Sequence, residues 1–189
     1  MPYTQTAQKT HAQIIGVDKL SGCKDPDKQF LLLIDHIKRI RDGIFWQGSH
    51  ITIFVEHNLG FESEHHERAL RGLPNVSFYR DEKRQRVGIL TTLQVKHAAC
   101  TLVNSMLREN RLSVLPDDEI VSVEPTSNKK LLQEEMKIYS YQFKSAATVF
   151  NKDQCALSGK VGGMCDDLAI LLQLAIYWTN HLMTSGTYE

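Results

Sequence analysis

Three carboxylates stand where a carboxylate is costly. Glu56 follows directly on Ile51-Thr52-Ile53-Phe54-Val55. Asp166 and Asp167 sit side by side between the glycine-containing stretch Ser158-Gly159-Lys160-Val161-Gly162-Gly163 and the apolar run Leu168-Ala169-Ile170-Leu171-Leu172. An acid at the edge of apolar chain needs water, a cation or a hydrogen-bond donor. Two adjacent carboxylates also repel each other, and a divalent cation relieves that repulsion. Hard oxygen ligands select Mg²⁺ or Mn²⁺. Two such ions about 3.5–4 Å apart activate a water and stabilise the leaving oxygen in phosphodiester hydrolysis. Simpler explanations stand beside this one: a strand-end acid meets solvent, and acids in a first helical turn complement the helix dipole. The glycine-containing loop lacks the spacing of a nucleotide-binding P-loop.

These residues need elements to hold them. The run 51–55 is β-branched and apolar on both parities, which predicts a strand buried on both faces, with Glu56 at its carboxyl end. That is where ligands bind in open α/β sheets. Residues 11–20, with Ile14, Ile15 and Val17, predict an earlier strand closed by Ser21-Gly22. Asp25-Pro26 reads as a helix start, and Phe30, Leu33, Ile34, Ile37 and Ile40 follow at helical spacing up to Gly43. Further helices are predicted over 62–71, 90–108 (Leu93, Ala98, Leu102 and Met106 inward), 127–138 and 165–182. Short strands are predicted over 75–80, within 112–124 around Pro116-Asp117-Asp118, and over 139–150, with a loop over 152–164. Strands alternating with helices make the fold class α/β.

Composition sets outer limits. A chain of 189 residues, 42% hydrophobic and 23% charged, suits one domain with a single core. Residues 1–10 read as a disordered lead-in and 11–185 as the domain. Lys plus Arg (22) balances Asp plus Glu (22), which argues against a protein that coats DNA, though not against one local basic groove. Cys23, Cys100, Cys155 and Cys165 form no CxxC pair and no zinc-like spacing, and read as reduced thiols in an intracellular protein. The longest apolar run, 168–178, is interrupted by Gln173 and is too short to span a membrane.

Taken together, Ile53-Phe54-Val55-Glu56-His57-Asn58 and Gly162-Gly163-Met164-Cys165-Asp166-Asp167-Leu168-Ala169-Ile170 resemble the C-terminal nuclease domain of the viral terminase large subunit, of the herpesvirus type and its tailed-phage relatives. The resemblance extends over residues 11–20 and over 88–111, where Lys96 falls in a helix comparable to one that carries a lysine in that family. It can be followed from about residue 11 to 182. It implies a ribonuclease H-like mixed sheet flanked by helices. The implied activity is that of a DNA endonuclease, a hydrolase cutting concatemeric double-stranded viral DNA during genome packaging with two Mg²⁺ or Mn²⁺ ions. By the same resemblance, the partners are DNA, other terminase subunits and the capsid portal, and the location is the host nucleus. Glu56 would be the second acid of the catalytic triad, and Asp166 or Asp167 the third.

The family's first acid lies in a Val-Asp-Pro-like motif on an upstream strand of a hairpin. Here one strand precedes the first helix and matches the later strand of that hairpin. The expectation is therefore a domain truncated at its N-terminus, without the first catalytic strand and without the ATPase motor. Asp18, in Ile15-Gly16-Val17-Asp18, superficially resembles the motif and stands as the alternative first metal ligand.

Arg80, Lys83, Arg84 and Arg86, interleaved with Asp81 and Glu82, read either as a solvated loop or as an edge contacting DNA phosphates. Lys160, in the loop before the Asp pair, is a further phosphate-contact candidate. His57, His65 and His66 suggest zinc, but adjacent histidines on a helix point about 100° apart and cannot easily share a metal. Two rival functions remain: a catalytically incomplete DNA- or capsid-binding module on the same fold, and another ribonuclease H-like nuclease such as a junction resolvase.

Overall fold

The computed structural model describes residues 10–19, 25–43, 48–56, 67, 70, 72–81, 86–122, 125–143, 155–160 and 165–185. The elements in order are β1 (Ala12–Ile14), α1 (Pro26–Asp42), β2 (Ile51–Ile53), β3 (Val76–Phe78), β4 (Arg80–Asp81), β5 (Arg86–Val87), α2 (Leu93–Arg108), β6 (Leu112–Val114), α3 (Pro125–Ile138), β7 (Ser140–Phe143), β8 (Cys155–Ser158) and α4 (Asp167–Ser185). The class is mixed α/β. Strands β1 and β6 pair in parallel, as do β2 and β3, whereas β4–β5 and β7–β8 are antiparallel.

Helix α1 begins where its sequence dictates. Asp25 accepts the Asp27 N–H at 3.0 Å, Pro26 fills the first turn, and Gly43 ends the helix. Its apolar face meets the β2–β3 pair in a core of Ile37, Leu70, Phe78 and Val87, flanked by Ile51, Ile53 and Val55. Strand β2 is only half-buried, whereas its residue types predict burial on both faces. Beyond β2, the Ile89 N–H donates to the Val55 carbonyl at 2.8 Å and Glu56 bridges Ile89 in parallel, which fixes the backbone at the acid.

A second core joins α2 to α4 through Val103, Met106 and Ile176, with Ala12 of β1 and Leu112 of β6 against it. The α2 sequence offers two overlapping apolar stripes. The inward one is Ala99, Val103 and Met106, so Leu93 (43% exposed) and Ala98 face outward, contrary to the stripe expected. Thr92 caps this helix by accepting the Val95 N–H at 3.2 Å. Strand β8 is a second correction, because residues 155–158 lie in the stretch expected to be loop. It pairs with β7 from Phe143↔Cys155 to Ser140↔Ser158 and buries Leu157. The expected helix over 62–71 lies largely outside the described residues, as do His57, His65, His66, Lys83 and Arg84.

The chain after β1 is held by main-chain bonds. The Val121 N–H donates to the Ile15 carbonyl at 2.6 Å and the Val17 N–H to Ser122 Oγ at 2.7 Å. Only glycine fits between them: a Cβ on Gly16 would lie 2.3 Å from the Val121 carbonyl oxygen. This close approach delivers Asp18 and Lys19 toward the head of α4. Among the described residues no helix is long and apolar enough to cross a membrane.

Candidate active site

The two adjacent aspartates at the head of α4 point to different partners. Asp166 is buried (2% exposed), and its Oδ2 accepts the Gly159 N–H at 2.8 Å. Its main-chain carbonyl accepts the Ile170 N–H at 2.9 Å, the first bond of the helix. Gly159 sits close enough that a Cβ there would meet the Asp166 Cβ at 3.1 Å and Ile138 Cγ1 at 3.3 Å. Asp166 Oδ1 is buried without a hydrogen-bond partner among the described residues. The Asp167 side chain is 62% exposed, and its Oδ2 lies 3.3 Å from Lys19 Nζ. Repulsion between the neighbours is thus relieved by divergence, one onto a backbone amide and the other onto an ammonium.

Glu135, on α3, organises this corner. It is fully buried, and its Oε2 accepts the Leu168 N–H at 2.7 Å and the Ala169 N–H at 3.1 Å. A side chain from another helix therefore caps α4. Its Oε1 takes a charge-assisted bond from Lys19 Nζ at 3.2 Å. Burial alone would lower the Lys19 pKa. The bonds and charges of Glu135 and Asp167 outweigh it and hold the ammonium above its usual 10.5. Sequence reasoning missed both residues. The signal was there for Glu135, which falls three and four residues after Leu132 and Leu131, on the inward face of α3. Lys19 carried no such signal, since its partners lie more than a hundred positions away.

Glu56 is half-buried at the end of β2, and its carboxylate has no side-chain partner among the described residues. It lines a cavity of about 920 Å³ together with Asp167 and Asp18. The walls are otherwise largely apolar: the β1 segment, Phe54, Ile89, and the face of α4 that carries Leu168, Leu171, Leu172 and Ala175. Asp166 does not line it. Asp18 is engaged, with Oδ2 on His36 Nε2 and Oδ1 accepting from Asn128 Nδ2 at 3.2 Å.

Carboxylates are the donor type that Mg²⁺ or Mn²⁺ takes, but three of them spread around one cavity do not by themselves make a site. Asp18 and Asp167 are engaged with protein partners. Among the described residues no group of three or more His, Cys, Asp or Glu side chains is gathered closely enough to hold a metal. Of the basic candidates, Arg80 is ion-paired with Glu67 at 2.6 Å, Arg86 lies in β5 opposite Asp81, and Lys160 is exposed one residue after Gly159. Neither Arg80 nor Lys160 lines the cavity. Cys100 and Cys165 are free thiols, and burial pushes the Cys100 thiol pKa up. No protein-family model matches this chain, and no curated protein or solved structure does either.

Proposed function

We propose that this chain is a metal-dependent DNA endonuclease domain of the viral terminase kind, with a ribonuclease H-like arrangement of its sheet. The observation that carries the reading is that Glu56, just beyond β2, and Asp167, at the head of α4, line one cavity. Those are the two elements from which the resemblance draws its second and third acids. Asp167 is the better candidate of the adjacent pair, because Asp166 is committed to the Gly159 amide and is closed off from the cavity.

Bound Mg²⁺ or Mn²⁺ would supply the activated water and neutralise charge at the phosphate. The chain's own contributions are positional. The Val55–Ile89 backbone bond fixes Glu56, and Glu135 fixes the turn that carries Asp167. Exposed Lys160, and Arg80 on leaving Glu67, would be the contacts to a phosphate backbone.

Plasmid cleavage in Mn²⁺ tests the reading. Wild type is expected to nick or linearise the substrate, and Glu56→Ala and Asp167→Ala to lose at least about a hundredfold in rate, the scale on which single catalytic groups act. Equal cleavage by all three would remove the site assignment. A second reading, a catalytically incomplete DNA- or capsid-binding module, is favoured by Asp18, whose carboxylate is occupied by His36 and Asn128. DNA binding by wild type without cleavage in Mg²⁺ or Mn²⁺ would select it.

A further inference from the structure

The cavity that Glu56 lines is walled mostly by hydrocarbon. Its volume of about 920 Å³ falls within the roughly 300–1,000 Å³ that small-molecule sites occupy. On one side the chain beyond β2 alternates: Val55 packs into the α1 core, while Phe54 and Glu56 line the cavity. Ile89 joins that wall through its bridge to Glu56. On another side α4 contributes Leu168, Leu171 and Leu172. Leu171 is 56% exposed, so this wall leaves hydrocarbon facing water, which a ligand with an apolar body would cover.

The formal charge of the lining is negative. Asp18, Glu56 and Asp167 belong to it, with His11 the other titratable side chain, and no lysine or arginine does among the described residues. Two of the acids are already answered: Asp18 by His36 and Asn128, Asp167 by Lys19. Glu56 has no side-chain partner among the described residues, and its neighbours on the wall, Phe54 and Ile89, offer it none. We propose that the cavity is a binding site for an amphipathic amine, whose aliphatic body lies against Phe54, Ile89 and α4 and whose ammonium donates to Glu56. An amphipathic anion would meet carboxylates alone, and a wholly apolar ligand would desolvate Glu56 without giving it a donor. This site goes beyond the nuclease reading and does not rest on it, since it asks for one carboxylate and no divalent ion.

Calorimetric titrations of the full chain in EDTA test this with three probes of equal chain length: octylammonium, 1-octanol and octanoate. Wild type is expected to bind octylammonium roughly tenfold more tightly than 1-octanol, the worth of one charge-assisted hydrogen bond. Octanoate should bind more weakly than either. Glu56→Gln should bring octylammonium to within about twofold of 1-octanol, because the amide keeps the shape and loses the charge. Glu134→Gln, which neutralises an exposed acid of α3 outside the cavity, should keep the preference, since a distant exposed charge is screened. Leu171→Ser should weaken octylammonium and 1-octanol alike, by roughly fivefold, through lost apolar contact. Equal affinity of wild type for octylammonium and 1-octanol, or a preference that survives Glu56→Gln, would overturn the proposal. So would the absence of binding by all three probes.

Should Glu56→Gln or Leu171→Ser fail to fold, wild-type protein locates the site directly. Intermolecular nuclear Overhauser effects from the octyl chain of octylammonium to the Ile89 and Leu171 methyls support the proposal. Effects confined to methyls outside the cavity, such as those of exposed Leu31 on α1, overturn it.

Discussion

At the head of α4 the chain uses a fully buried glutamate, a lysine and a close-packed glycine to place two aspartates. At the end of β2, Glu56 is fixed through its backbone, and its carboxylate is left without a side-chain partner among the described residues. Both acids, Glu56 and Asp167, face the same cavity. The contrast separates two duties that a list of acids runs together. Glu135 and Asp166 hold the helix in place, and changing them alters stability. Glu56 and Asp167 line the cavity, and under the proposed function changing them alters what binds there. Adjacency is a poor guide to duty, as Asp166 and Asp167 demonstrate.

Substitutions can break this comparison at either end. The largest effect is expected for Glu135→Ala. It leaves two α4 amides uncapped and Lys19 without its buried partner, and should cost about 3–5 kcal/mol in urea unfolding. Glu56→Gln, by contrast, should stay within about 0.5 kcal/mol of wild type by the same measurement. A Glu56 variant as destabilised as the Glu135 variant would erase the distinction. Next comes Gly16→Ala, whose Cβ would lie 2.3 Å from a main-chain oxygen that cannot give way alone. A loss of about 3 kcal/mol is expected, the upper range of overpacking. Gly159→Ala meets softer neighbours, the Asp166 Cβ at 3.1 Å and Ile138 at 3.3 Å, and should cost about 1 kcal/mol.

The smallest effect compares two thiols and reports on the interior of α2 against the head of α4. Cys165 is exposed, while Cys100 is half-buried with its pKa raised by that burial. Desolvation favours the neutral thiol, so at any given pH Cys100 carries a smaller fraction of reactive thiolate than a thiol with the usual pKa of 9.0. In a Cys23→Ser/Cys155→Ser background at pH 8, a disulfide reagent should therefore label Cys165 first and Cys100 several-fold more slowly, with further Cys→Ser variants assigning the two phases. Raising the pH should narrow the gap. Equal rates at pH 8 would mean that α2 is less well packed than Val103 and Met106 imply.

Local chemistry made part of this legible from the sequence. Asp25-Pro26 and Gly43 bound α1 because capping and proline geometry act within a few residues. A helix opening at Asp166-Asp167 was readable for the same reason, whereas β2 ends at Ile53 and Glu56 follows as an isolated bridge to Ile89. What needed three dimensions was the choice among partners. Residues 93–108 carry apolar side chains on neighbouring stripes, and contact with α4 selected Ala99, Val103 and Met106. Residues 155–158 read as loop because glycines follow closely, yet pairing with β7 overrides that composition. The Lys19–Glu135–Asp167 bridge joins three distant segments, and no local period encodes such a contact.

Where a divalent ion sits tests the proposed site most directly. Crystals soaked in Mn²⁺ and measured at an energy where manganese scatters anomalously should place an anomalous peak between the Glu56 and Asp167 carboxylates, with Asp166 still on the Gly159 amide. A peak held by Asp166 and not by Asp167, or no peak at Glu56 at saturating Mn²⁺, would contradict it.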